Sequence, residues 1–152
     1  MLYHQILIFL NRPFVSSDKD LTMGAGQACT NSARDICRML RLYRRLYTLR
    51  YINVQAVATT MIAGVVHVHD CCTYSGTKGK LAQDNLLICI QALGEMGQCF
   101  NSSIRGLEVI TTLRRAWQIQ KFRETGPKRH RSTSSSSTER NKKSTHSNPG
   151  PK

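Results

Sequence analysis

The chain has 152 residues, 40% of them hydrophobic, and carries 22 Lys/Arg against 9 Asp/Glu for a formal net charge of +13. That size suits one domain plus a tail, and the basic excess favours acidic partners (nucleic acid, acidic protein surfaces or anionic lipid) without choosing among them. A membrane span is excluded, because the longest charge-free apolar run, near residues 54–68, is interrupted by Gln55, Thr59, Thr60 and His67 and falls short of the ~20 residues a span needs.

The segment from Met1 opens on an apolar helix. Leu2, Ile6, Phe9 and Leu10 fall near i, i+4, i+7 and i+8, one face of a helix. Pro13 lacks an amide hydrogen and disfavours helical geometry in Arg12, so the helix is expected to stop near Asn11. No basic leader precedes it, and Asn11-Arg12-Pro13-Phe14 stands where a secretory signal would place a small-residue cleavage site. A helix this apolar needs partners, and the reading is of the later part of a larger helical domain, with Ile6, Phe9 and Leu10 shaped for a neighbour outside the chain.

Residues 15–26 read as a loop, with Ser16, Ser17, Asp18 and two glycines. A second helix is expected from about Gln27 to Leu49, where Cys29, Ala33, Ile36, Leu40, Tyr43 and Tyr47 repeat at helical spacing. Asn53 is a plausible N-cap for a third helix over Val54 to about Cys72, and Tyr74-Ser75-Gly76-Thr77-Lys78-Gly79 breaks it. The fourth helix, about Lys80 to Gln98, sets Leu81, Asn85, Ile88 and Ala92 on one side, widened by Leu86, Leu87, Ile90 and Leu93. Asn101 or Ser102 caps a fifth, with Ile104, Leu107, Ile110, Leu113 and Trp117 in a stripe. No stretch alternates with period two, so the expected architecture is all-α: an antiparallel bundle of about five helices over residues 1–123.

Residues 124–152 differ. From Thr125 onward there is no Val, Ile, Leu, Met or aromatic residue, too little apolar surface to offset ordering entropy, so a disordered basic, Ser-rich tail is expected. Lys128, Arg129 and Arg131, followed by a run of Ser and Thr, have the character of a nuclear import signal, whose charge phosphorylation of those serines would offset. A solvated tail is the plainer reading.

The Tyr3-His4 to Arg12-Pro13-Phe14 stretch resembles the His-x(n)-Leu-His-Arg-Pro-Phe segment of fungal zinc-cluster transcription factors. There it lies in their all-helical regulatory region, the fungal-specific transcription factor or middle homology domain. Tyr3, His4, Leu10, Arg12, Pro13 and Phe14 match, and Asn11 stands where many relatives carry a second histidine. Ala28-Cys29 through Ala33-Arg34-Asp35-Ile36 is similar to the family's Cys-x3-Ala-Ala-x2-Ile helix, with Arg34 replacing the second small residue. A helix with Ala63-Gly64 and another like Asp84 to Met96 follow, so the similarity spans residues 1–123. It implies transcription regulation in the nucleus, by a region that modulates an attached activator. DNA would be read only indirectly, through an N-terminal six-cysteine cluster holding two zinc ions. That cluster, with its Cys-x2-Cys spacing, has no counterpart here, so no cofactor is expected in this chain.

Few residues invite chemistry. His67-Val68-His69-Asp70-Cys71-Cys72 offers metal-competent side chains, but His67 and His69 lie about 200° apart on a helix and point opposite ways. His67 and Cys71 share a face, yet no second pair has ligand spacing, so a helix end with packed thiols is the expectation. The six cysteines sit inside helical patterns and read as reduced core thiols. Gly24-Ala25-Gly26 lacks the rest of a phosphate cradle, and no catalytic constellation emerges; an enzyme is not expected.

Two surfaces remain. In the family-like box of His4, Arg12, Pro13 and Phe14, a structural reading has Arg12 satisfying the last helix carbonyls and Phe14 anchoring the exit into the core; a functional one makes the box part of a ligand-responsive surface. Arg34, Arg38, Arg41, Arg44, Arg45 and Arg50 crowd the second helix, with Asp35 the sole acid between Gln27 and His69. Like charges at this spacing cost roughly 0.2–0.5 kcal/mol per pair. Either core burial outweighs that repulsion on a solvated face, or Arg34, Arg38, Arg41 and Arg45 meet an acidic partner: the rest of the domain, another protein or, less plausibly, phosphate. The alternative to a transcription regulator is a standalone helical scaffold or adaptor docking an acidic protein through these arginines.

Overall fold

A computed structural model describes residues 1–15 and 23–125, with side chains treated over 1–15 and 24–120. The chain is all-α. Helix α1 is Leu2–Asn11, α2 Met23–Leu46, α3 Gln55–Thr73, α4 Gly76–Met96 and α5 Asn101–Thr125; short 3-10 turns occupy Arg12–Phe14 and Leu49–Tyr51. The expected tail and the Lys128, Arg129 and Arg131 cluster lie outside the described residues, as does most of the expected first loop. Among the described residues, no helix is long and apolar enough to cross a membrane.

Helix α3 is the centre of the bundle, with α2, α4 and α5 packed around it and α1 laid mainly on α2. The α2 stripe read from the sequence holds through Cys29, Ala33, Ile36 and Leu40, all buried. Tyr43 is partly buried against the same core and Tyr47 is exposed. From α4 come Leu86, Cys89, Ala92, Leu93 and Met96, and from α5 Ile110, flanked by the partly buried Leu107, Leu113 and Trp117.

Several boundaries move for physical reasons. Helix α2 starts at Met23, so Gly24 and Gly26 are helical rather than loop. The N-cap of α3 is Val54 rather than Asn53, which sits one residue earlier with its Oδ1 accepting the Gln55 amide at 2.9 Å. The expected break before α4 shrinks to two residues. Gly76, at φ +71°, makes the turn that a residue with a Cβ would resist, and α4 is under way four residues before Lys80. Leu81, Leu87 and Ile104, placed on apolar faces by the sequence, are largely exposed.

The α4–α5 corner is held by Ser103, whose buried hydroxyl donates to the Leu93 carbonyl at 2.6 Å. The α2–α3 corner is tied to α4 by Glu95. Its Oε1 accepts the Leu49 amide at 3.0 Å and the Thr48 hydroxyl at 3.2 Å, and its Oε2 lies 3.1 Å from Arg44 Nε.

Candidate functional site

Helix α1 ends where Pro13 requires, and Asn11, not Arg12, serves the helix end: its Nδ2 donates to the Leu7 carbonyl at 2.8 Å. Arg12 and Phe14 are exposed, so the expectation that Phe14 anchors the exit in the core is overturned. The turn that Pro13 imposes carries its ring outward instead. His4 is the inward member of the box, its Nδ1 buried 4.0 Å from Asp35 Oδ2 on α2.

The face of α1 that the chain buries is not its most apolar one. Gln5 and Ile8 point inward. Gln5 Oε1 accepts the Thr59 hydroxyl at 2.6 Å and Gln55 Nε2 at 3.3 Å, which joins α1 to the start of α3. Cys29 lies beneath, its Sγ 3.8 Å from the Ile8 carbonyl, and burial pushes its thiol pKa up. The apolar stripe, read from the sequence as shaped for a neighbour outside the chain, stays uncovered: Leu2 is 55% exposed, Ile6 55%, Phe9 50% and Leu10 63%. With Tyr3 and Phe14 it makes a broad apolar surface beside an otherwise basic molecule. Patches of this kind mark interaction surfaces in soluble proteins.

Of the arginines singled out on α2, Arg41 donates to Asn85 Oδ1 on α4 at 2.8 Å and Arg34 bonds Asn31 one turn back. Arg38 and Arg45 are exposed on the same helix. Arg44, paired with Glu95, also donates to Gln91 at 3.3 Å. A broad cavity of about 960 Å³ opens beside this end of α2, bordered by Arg44, Arg45, Arg50 and Glu95.

As the helical geometry required, His67 and His69 diverge. His69 lies at the surface, edge-on to Trp117 with ring centroids 5.8 Å apart, whereas His67 is 1% exposed. Its neighbour is not Cys71. His67 Nε2 lies 3.4 Å from Cys37 Sγ on α2, and Cys37 Sγ lies 3.4 Å from Cys89 Sγ on α4. All three are buried, with ligand atoms within 4.8 Å of one another, the one grouping of three metal-capable side chains among the described residues. The thiols separate in acidity. The Cys89 hydrogen bond, aided by His67 and Arg41 and opposed by burial, draws the Cys37 pKa down, while the same bond together with burial drives Cys89 well up. No local pattern announces this cluster; both cysteines read from the sequence only as reduced core thiols within helices.

The molecule is thus a helical module with an uncovered apolar helix face, a basic flank and a buried thiol–imidazole cluster. It is similar in sequence to fungal transcription factors. Two relatives are the nitrogen assimilation transcription factors nit-4 of Neurospora crassa, 29% identical over 124 residues, and nirA of Emericella nidulans, 30% identical over 129. The matches take in 79% and 82% of this chain but only 11% and 14% of those proteins. No family model and no solved structure matches the chain significantly. The homologues are transcription factors, not enzymes.

Proposed function

We propose that the chain works in transcription regulation, as part of the helical regulatory region of a fungal zinc-cluster factor. The observation that carries this reading is similarity to two fungal transcription factors across about four-fifths of the chain. Regulatory regions of this sort modulate an attached activator, so the chain has no enzymatic role, and its place is the nucleus. DNA contact is indirect, through a zinc cluster supplied elsewhere in a longer protein. The outer face of α1, Leu2, Ile6, Phe9 and Leu10, packs on a further helical segment of that region, and the Arg38 and Arg45 side of α2 faces an acidic surface. Lys128, Arg129 and Arg131 serve import.

The test is a chimera in which this chain replaces the matching segment of Emericella nidulans nirA. Regulated transcription at that factor's own promoters supports the reading; a chimera present at normal level whose output no longer responds to the factor's regulation overturns it. Ile6→Asp with Phe9→Asp is expected to abolish regulation in the chimera, and Arg38→Glu with Arg45→Glu to weaken it. A reporter fused to residues 124–152 that stays cytoplasmic would remove the import role.

A further inference from the structure

We propose that Cys37, His67 and Cys89 form a buried zinc site that joins α2, α3 and α4, the cation held by two thiolates and an imidazole nitrogen. Three observations meet there. The ligand atoms come from three separate helices and converge in the core, with Cys37 Sγ 3.4 Å from both His67 Nε2 and Cys89 Sγ, and no edge of the triangle beyond 4.8 Å. Zinc bonds of about 2.3 Å to sulfur and 2.0 Å to nitrogen give tetrahedral edges of about 3.5–3.8 Å, so adjustments of a few tenths of an ångström to about 1 Å bring the three into register.

The donor set selects the ion. Two thiolates and an imidazole favour zinc over the hard divalent cations, and a 2+ charge is cancelled by the two thiolates with a neutral histidine. A neutral assembly is what a dry core accepts, whereas copper(I) would leave a net negative charge there. Two thiol protons leave on binding.

The Asn85 backbone carbonyl accepts from the Cys37 thiol at 3.6 Å, and that bond is given up when the thiolate forms. His67 Nδ1 is buried with no hydrogen-bond partner, and a ligating imidazole needs an acceptor on its other nitrogen. His67 borders a cavity of about 100 Å³ that Asp70, Thr30 and Asn85 also line.

The experiment uses the full chain, purified reduced and metal-free, titrated with cobalt(II) as a spectroscopic probe. The expected result is a thiolate-to-cobalt charge-transfer band with tetrahedral visible bands, saturating at one equivalent and erased by zinc. Zinc at a hundred times its dissociation constant should raise the folded-to-unfolded ratio about 100-fold, seen as a higher thermal midpoint by circular dichroism. Cys37→Ser and Cys89→Ser should lose the band, and Cys99→Ser, at an exposed position, should keep it. A wild-type chain that is folded yet shows neither the band nor a zinc-dependent midpoint overturns the site whatever the variants do, leaving a hydrogen-bonded thiol–imidazole cluster. Survival of the band in a Cys37→Ser/Cys89→Ser double variant, or preference for copper(I) over zinc, overturns it as well.

Discussion

Helices α1 and α3 invert the usual relation between apolarity and burial. Seven of the ten residues of α1 are Leu, Ile, Phe or Tyr, yet it buries only Gln5 and Ile8. Helix α3 encloses Thr59, Thr60, His67 and Asp70 beside its apolar residues. The difference is one of neighbours. Helix α3 has α2, α4 and α5 around it, and each enclosed polar group on it except His67 Nδ1 finds a partner: Thr59 on Gln5, Thr60 on the Ala56 carbonyl, Asp70 Oδ2 on the Thr30 hydroxyl at 2.9 Å. A buried polar group is tolerated when hydrogen-bonded; an apolar face with nothing beside it stays in water whatever its composition. Position in the bundle, not hydropathy, decides.

Substitutions can break or sharpen that contrast. The largest effect should come from the interior: Leu93→Ala, at a fully buried α4 position, is expected to cost about 2–5 kcal/mol by urea titration. A smaller effect follows where α1 meets α3. Thr59→Val removes the hydroxyl that Gln5 accepts and should cost about 1 kcal/mol. If it costs nothing, α1 is not held as described. Smallest for stability is Ile6→Asp with Phe9→Asp, expected to move the unfolding free energy by no more than about 0.5 kcal/mol while lowering hydrophobic-dye binding. A loss of several kcal/mol there would mean that the outer face is covered in solution, by self-association for instance, and size-exclusion chromatography would show it.

What could be read in advance follows the range of the interactions involved. The α2 stripe from Cys29 to Leu40 is local and was legible from spacing alone, as were the stop at Pro13, the divergence of His67 and His69, and the all-α class. The inward face of α1 was not: Gln5 is chosen by Thr59, 54 residues along the chain, and a polar residue gives no hydropathy signal of that choice. The start of α4 was hidden because Gly76 and Gly79 read as breakers, although one of them merely makes the turn. The thiol–imidazole cluster joins residues 30 and 52 apart in sequence, so no spacing rule reaches it; the local pairing of His67 with Cys71 drew attention away from its actual neighbours. The likeness to fungal transcription factors was legible through the Arg-Pro-Phe box, although two of the residues that carry the box, Arg12 and Phe14, contribute little to the core.

Gly64 sits where α3, α4 and α5 come closest. A methyl placed on it would lie 2.5 Å from Ile110 Cδ1 and 3.6 Å from Cys89 Cβ. The missing side chain therefore makes room chiefly for the tip of Ile110, while Cys89 Cβ lies at ordinary van der Waals distance from it. Enlarging residue 64 would first displace the Ile110 side chain on α5, so the fit between the middle helix and the last one would loosen before the packing against α4 was touched.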